Sequence, residues 1–344
     1  MTASVLDHGN IWLRPGVRRP HHLDAALFDV DGVLIDTRRS YRLAVAHGAE
    51  HIVREVNGLR RAPSPMVSAE DVAQFKLAGG FNSDWDATQL FAALWTARLR
   101  EWDGLPEAEV SIAEWARRAS AAARAGRGGI AWLIATVPAS AIPDTEVARW
   151  AHDEFYWGAV LVQEHYGREA IYAPSAEGFV HNERMLLEAD LLPALARRGI
   201  ARYGLITGRT GPEVDWAVRR FVGACTVEGE APDPVTWHDG PHGRSPFGCI
   251  VPATLFLKPD PLALAHALRA LDAAGAFYVG DTADDLDLVL RYRAELVLAD
   301  PACAAVVAVV VAAGSEAETY AARGADIVLP HIRYLPEALD ALPA

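Results

Sequence analysis

Leu27-Phe28-Asp29-Val30-Asp31-Gly32-Val33-Leu34-Ile35-Asp36 places two carboxylates, one residue apart, between apolar runs, with a glycine directly after them. The lead from Ala25 to Phe28 reads as a buried strand, and the strand is predicted over Leu23 to Val30. Gly32 lets the backbone turn where a side chain would obstruct it. Asp29 and Asp31 therefore fall at the carboxyl end of a strand, where open α/β sheets place their ligands. Two close, buried acids without a counter-charge are costly. A cation is expected there, most simply a hard divalent metal.

The rest of the composition limits what such a site can serve. With 344 residues the chain can bury a large core and is expected to hold two domains. A formal net charge of -13 with no basic stripe argues against a nucleic-acid partner. Cys225, Cys249 and Cys303 match no zinc spacing and read as reduced thiols of a cytoplasmic protein. No apolar run behind a basic start marks a signal peptide, and Ala304 to Ala313 is too short to span a bilayer, so no membrane partner is expected. Of 32 basic residues only Lys76 and Lys258 are lysines. In a chain so biased towards arginine, a compact ammonium at Lys258 is expected to serve a purpose, while Lys76 is either a substrate contact or a lysine on a solvated helix face.

Residues 1–22, rich in Arg, Pro and His, read as an irregular lead-in in which Ile11, Trp12 and Leu13 could pack locally. Helical patterns follow from Arg38 to Val56, from Ser68 with a cap and an acid three residues later, from Ala87 to Trp102 behind a cap at Ser83 or Asp84, and from Ala148 to His165. Seven of the ten tryptophans fall between 37 and 185, where strands are few. This stretch is read as a helical domain inserted after the first strand, with most of those tryptophans in its core. A further helix is predicted from Glu183 to Arg198.

From Ile200 strands and helices alternate. Strands are predicted at Tyr203 to Ile206, Gly223 to Val227, Thr254 to Leu257, Ala276 to Val279, Val306 to Val311 and Asp326 to Leu329, with a long loop over 229–253. The fold class is α/β, with a doubly wound parallel sheet. The domain reading is a lead-in over 1–22, a core of 23–36 with 186–344, and a helical insertion over 37–185.

Four polar signals follow strand-like runs: Asp29 with Asp31, Thr207-Gly208, Lys258, and Asp281 with Asp284 and Asp285. Singly each has a bland reading, such as a helix cap or a first-turn charge. Jointly they converge on one edge of a parallel sheet. Asp29-Val30-Asp31-Gly32-Val33, Thr207-Gly208-Arg209, Lys258-Pro259 and Gly280-Asp281-Thr282 with Asp285 resemble, in order and type, the motifs of the haloacid-dehalogenase-like (HAD) hydrolase superfamily. The likeness is to its phosphatase branch with a helical cap after the first strand (subfamily IA-like). It covers about 23–36 and 186–340. The cluster from Ala78 to Asp86 is similar to one in a functionally undefined subgroup.

That resemblance implies a Rossmann-like core, a cap domain and an Mg2+-dependent phosphatase of a small phosphorylated metabolite. Asp29 would be the nucleophile that forms an aspartyl-phosphate. Asp31 would be the general acid and then the base. Mg2+ would take Asp29, the backbone carbonyl of Asp31, and Asp281, with Asp285 holding a water of its shell. Thr207 and Gly208 would bind phosphoryl oxygens and Lys258 would neutralise charge. Arg209, Lys76, Asn82 and Trp85 are the candidates for substrate contacts, while His181 and Asp36 read as surface and structural residues. A second acid after Asp29 points away from dehalogenation, since a halide leaves without a proton. A phosphomutase, or an idle protein that binds a phosphorylated ligand or a partner, remain the alternatives, and a homodimer through the Trp-rich cap stays open.

Overall fold

A computed structural model of the chain describes residues 4–5, 11–78, 81, 83–102, 106, 109, 111–173, 175, 177–217, 220 and 246–343. Asn82, Cys225, the strand expected over Gly223 to Val227 and most of the 229–253 loop lie outside them. The chain divides into two compact units, one of residues 1–36 with 184–344 and one of residues 37–183.

In the first unit the strands, in chain order, are β1 (Ser4–Val5), β2 (Trp12–Leu13), β3 (Ala25–Phe28), β4 (Ile35–Asp36), β5 (Arg184–Met185), β6 (Arg202–Ile206), β7 (Phe247–Val251), β8 (Gly275–Gly280), β9 (Ala305–Val311) and β10 (Ile327–Leu329). Eight of them form one sheet in the order β1-β2-β10-β9-β8-β3-β6-β7. From β10 to β7 all neighbours are parallel; β2 joins β10 antiparallel. After β3 the chain builds outward through β6 and β7, then returns to β3's other side with β8. The gap between the ends of β3 and β8 is thus the switch point at which such sheets bind ligands.

The residues of β3 explain its central place. Ala26 and Phe28 pack with Tyr203, Leu205, Phe277 and Val279 on one face. Ala25 and Leu27 pack with Ile206, Ala276 and Val310 on the other. Helices Leu191–Ala196, Gly211–Ala217 and Leu335–Asp340 supply the first core; Leu262–Ala270, Ala283–Arg291 and Ser315–Arg323 border the second. A strand covered on both sides needs a continuous apolar run, and this is why β3 was conspicuous in the sequence.

Several expectations are corrected here. Glu183 to Arg198 is not one helix: Arg184–Met185 is β5, paired antiparallel with Ile35–Asp36, and the helix begins only at Leu191. Thr254 to Leu257 is a turn, and the strand before Lys258 is β7, inside the stretch read as loop. Trp12–Leu13 is a strand paired antiparallel with both β1 and β10, rather than irregular lead-in. Ser68 does cap its helix, with Asp71 Oδ2 accepting from Ser68 N at 2.8 Å and Ser68 Oγ accepting from Asp71 N at 3.1 Å.

Among its described residues the second unit is built from helices and the loops between them, with no strand. Its core gathers Val45, Phe75, Phe81, Phe91, Trp95, Trp115 and Trp132, with Phe75 and Phe91 edge to face at 5.0 Å. Of its other tryptophans, Trp157 is buried, and Trp85, Trp102 and Trp150 are partly exposed. The helix Thr145–Tyr166 is broken at Gly158, whose φ of 76° only glycine adopts readily. Buried Glu154 accepts backbone N–H groups of Ile171 (2.7 Å), Tyr172 (2.5 Å) and Ala173 (3.1 Å), which fixes the loop after that helix. At the unit's two ends, Ser40 Oγ and Tyr156 OH both donate to Glu183 Oε1, at 3.1 and 2.9 Å. Among the described residues no helix is long and apolar enough to cross a membrane.

Candidate active site

Asp29 follows β3 directly, and its N–H donates to Val279 O of β8 at 2.8 Å. Asp281 follows β8. The strand pairing therefore sets these two carboxylates side by side at the switch point. The turn after Asp29 is closed by Gly32 N donating to Ile35 O at 2.8 Å and by Leu34 N donating to Val30 O at 2.9 Å. Gly32 has φ +73°, and a Cβ there would lie 1.9 Å from Asp281 Oδ2. The glycine is needed both for the turn and for room beside the carboxylate.

Asp285 is tied down completely. It is the third residue of the helix Ala283–Arg291 and forms a reciprocal cap with Thr282. Its Oδ2 accepts Thr282 Oγ1 at 2.6 Å and Thr282 N at 3.0 Å. Its Oδ1 accepts Lys258 Nζ at 2.7 Å and Tyr278 OH at 2.5 Å. Lys258, from the turn after β7, also reaches Asp29 Oδ1 at 2.9 Å. One ammonium thus bridges the carboxylates of Asp29 and Asp285.

Burial dominates the electrostatics. It pushes Asp29 up to about 7 despite the pull of Lys258, and the charges of Asp285 and Asp31 act with it. Burial, then Asp29 and Asp285, push Asp281 well above the ordinary carboxylate range. Burial also opposes the charge on Asp285, yet Lys258 and the hydrogen bonds from Lys258, Thr282 and Tyr278 hold it below its ordinary value. Against the same penalty, Asp285 and Asp29 keep Lys258 above its ordinary value.

Three carboxylates and one ammonium leave the cluster short of positive charge. Oxygens of Asp29, Asp281 and Asp285 all lie within 4.8 Å of one another. Asp281 Oδ1 is buried and accepts no hydrogen bond among the described residues. A hard divalent cation answers both features, since it takes oxygen ligands and supplies two charges. The residues fit Mg2+ on this ground.

The remaining expectations fall out unevenly. Thr207, at the end of β6, is buried and its Oγ1 accepts Arg209 N at 3.1 Å, leaving its proton to be donated. Gly208 lies in the same turn, open on the side where a Cβ would stand. The side chain of Arg209, expected at the substrate, is fully buried, and two of its nitrogens hold Asp31 Oδ1, at 2.7 and 2.9 Å. Lys76 and Trp85 belong to the helical unit. Lys76 pairs with Asp84 at 2.9 Å, and Trp85 Nε1 donates to Asp153 Oδ1 at 2.7 Å beneath the Arg149 guanidinium. His181 is exposed in the same unit. Two tyrosines were missed, Tyr278 on Asp285 and Tyr320, whose OH donates to the Asp281 carbonyl at 3.2 Å. A tyrosine in a strand buried on both faces needs a partner for its hydroxyl, and Tyr278 carried that signal.

A doubly wound sheet with this carboxylate and lysine cluster at its switch point defines the class. The profile of the haloacid dehalogenase-like hydrolases matches residues 23–288, and the chain belongs to that family. A curated relative, an imidazoleglycerol-phosphate dehydratase of Phytophthora nicotianae, is 24% identical over 264 residues, 77% of this chain. The match spans 40% of that protein's length. Among solved structures, phosphatase Tt82 from Thermococcus thioreducens shares the fold with a TM-score of 0.56 at 22% identity, over 92% of this chain and 99% of that one. CbbY from Rhodobacter sphaeroides, solved in complex with phosphate, is 19% identical with a TM-score of 0.41, over 91% of this chain and 96% of its own.

Proposed function

We propose that the protein is an Mg2+-dependent phosphatase that acts on a small phosphorylated metabolite in the cytoplasm, with Asp29 as its nucleophile. The observation that carries this reading is the pairing of buried Asp29 with Lys258 beside Asp281, at the switch point of the sheet. The Asp29 carboxylate attacks phosphorus and the bond from phosphorus to the leaving oxygen breaks. Asp31 gives its proton to that oxygen, then takes one from the water that opens the aspartyl-phosphate. Thr207, through its hydroxyl, and Gly208, through its N–H, donate to phosphoryl oxygens as charge moves onto them. Lys258 offsets the repulsion between the nucleophile and the incoming phosphate, and Asp285 with Tyr278 keeps the ammonium in place.

Mg2+, held by Asp29, Asp281 and the carbonyl of Asp31 with Asp285 behind them, would neutralise the carboxylates and draw charge from the phosphoryl oxygens. The test is phosphate release from a panel of phosphorylated metabolites in Mg2+, with wild type and Asp29→Asn side by side. Release by wild type alone supports the reading. Phosphate retained and moved to another hydroxyl of the same sugar would make the protein a mutase, and equal release by both would remove Asp29 as nucleophile.

A further inference from the structure

The geometry points to Arg209 as the residue that positions Asp31 and decides which of its two oxygens moves the proton. This rests on the phosphatase reading above. Arg209 was expected to meet the substrate, but two nitrogens of its guanidinium are turned to Asp31. Its side chain is 0% exposed, whereas that of Asp31 is 28% exposed. A molecule that arrives from solvent meets the carboxylate first.

Arg209 does not hold Asp31 in the usual fork, one nitrogen to each oxygen. Nε at 2.9 Å and Nη2 at 2.7 Å both donate to Oδ1. No hydrogen bond among the described residues reaches Oδ2. Two N–H donors aimed at Oδ1 disfavour a proton there, because donor would meet donor. The transferable proton therefore resides on Oδ2. The guanidinium keeps its charge at every working pH, so this bias is permanent.

The arginine is itself held in a fixed frame. Its N–H donates to Thr207 Oγ1 at 3.1 Å, and its carbonyl accepts Ala253 N at 3.1 Å. Nη1 donates to Glu213 O at 3.3 Å, and Glu213 Oε2 accepts both the N–H and the hydroxyl of Thr210, at 2.6 and 2.7 Å. Arg209 thus couples the turn after β6, which carries Thr207 and Gly208, to the carboxylate after β3. The same carboxyl serves both steps, and the consequence that kcat/KM reads lies in the first. When Asp29 attacks and the bond to the leaving oxygen breaks, the electron pair stays on that oxygen and the Asp31 Oδ2 proton joins it. Without Arg209 the carboxyl turns freely and the proton is misplaced. A strongly basic leaving group then suffers, while a weakly basic one departs unaided.

The experiment compares kcat/KM for 4-nitrophenyl phosphate and phenyl phosphate in Mg2+, for wild type, Arg209→Met and Arg209→Lys. In Arg209→Met the ratio of nitrophenyl to phenyl activity should rise at least about tenfold, the lower end for a lost proton transfer being somewhat larger. Arg209→Lys, which keeps the charge without the two-pronged contact, should raise it less. On an Asp31→Asn background, Arg209→Met should leave the ratio unchanged, since the arginine acts only through the carboxyl. Parallel losses on both substrates, or a further change of ratio on the Asp31→Asn background, would overturn the assignment. If Arg209→Met does not fold, Arg209→Lys and its Asp31→Asn pair decide by the same ratio. Wild type that releases no phosphate from either compound would instead refute the phosphatase reading on which the assignment stands.

Discussion

Gly32 and Asp281 stand so close that a Cβ on the glycine would lie 1.9 Å from Asp281 Oδ2 and 2.4 Å from its Cγ. The turn that separates Asp29 from Asp31 is thus built against the carboxylate of another strand. Gly32→Ala meets both that collision and a left-handed backbone, at φ +73°. A loss of roughly 2–4 kcal/mol is expected from the two together. Urea unfolding checks it, and wild-type stability in this variant would mean that the turn and Asp281 are not in contact.

Tyr278→Phe removes one hydroxyl and nothing else. Asp285 Oδ1 then keeps Lys258 but loses the 2.5 Å hydrogen bond from within the sheet. A hydrogen bond to a charged group is worth about 1.5–3 kcal/mol, and a loss of that order is expected on chemical denaturation. A loss below ~0.5 kcal/mol would mean that water replaces the hydroxyl and that the site is wetter than its burial implies.

Without a cation, the protein should lose stability as the pH rises from about 4 to about 7. Asp29 moves from an ordinary 3.8 up to about 7 in the folded chain, and Asp281 is raised as well. In that window the native state binds more protons than the unfolded one, so deprotonation favours unfolding. A cation that competes with those protons should reverse the trend. The Tm gain on adding Mg2+ is therefore expected to be small below pH 5 and largest above pH 7. A gain independent of pH would place the ion elsewhere.

The helical unit offers its own test. Glu154→Ala strands three backbone N–H groups, those of Ile171, Tyr172 and Ala173. At about 1–3 kcal/mol for each buried unpaired donor, a loss of several kcal/mol is expected, eased by whatever water enters. Limited proteolysis should cut near 168–178 in the variant and spare wild type.

How far the sequence could be read follows from the range of each interaction. The run Ala25 to Phe28 announced a strand because both faces of β3 are covered, and Asp29, Asp281 and Lys258 stood out because each follows a strand or turn at the same sheet edge. The strand Arg184–Met185 was missed because its partner, Ile35–Asp36, lies on the far side of the helical insertion. Nothing local favours a strand there over a helix. Phe247–Val251 was hidden by the prolines and glycines before it, although it is the edge strand against β6. The contact of Arg209 with Asp31 was hidden for a similar reason. Next to Thr207-Gly208 the arginine looks like an anion binder, and only the folded sheet brings Asp31 to its guanidinium.

The central claim is that Asp29 takes the phosphoryl group. Rapid acid quench of wild type turning over 4-nitrophenyl phosphate in Mg2+, followed by mass spectrometry of the peptide that contains Asp29, measures this directly. One phosphoryl group on Asp29 is the predicted result. Turnover with Asp29 unmodified, or with the phosphoryl group on another side chain, would contradict it.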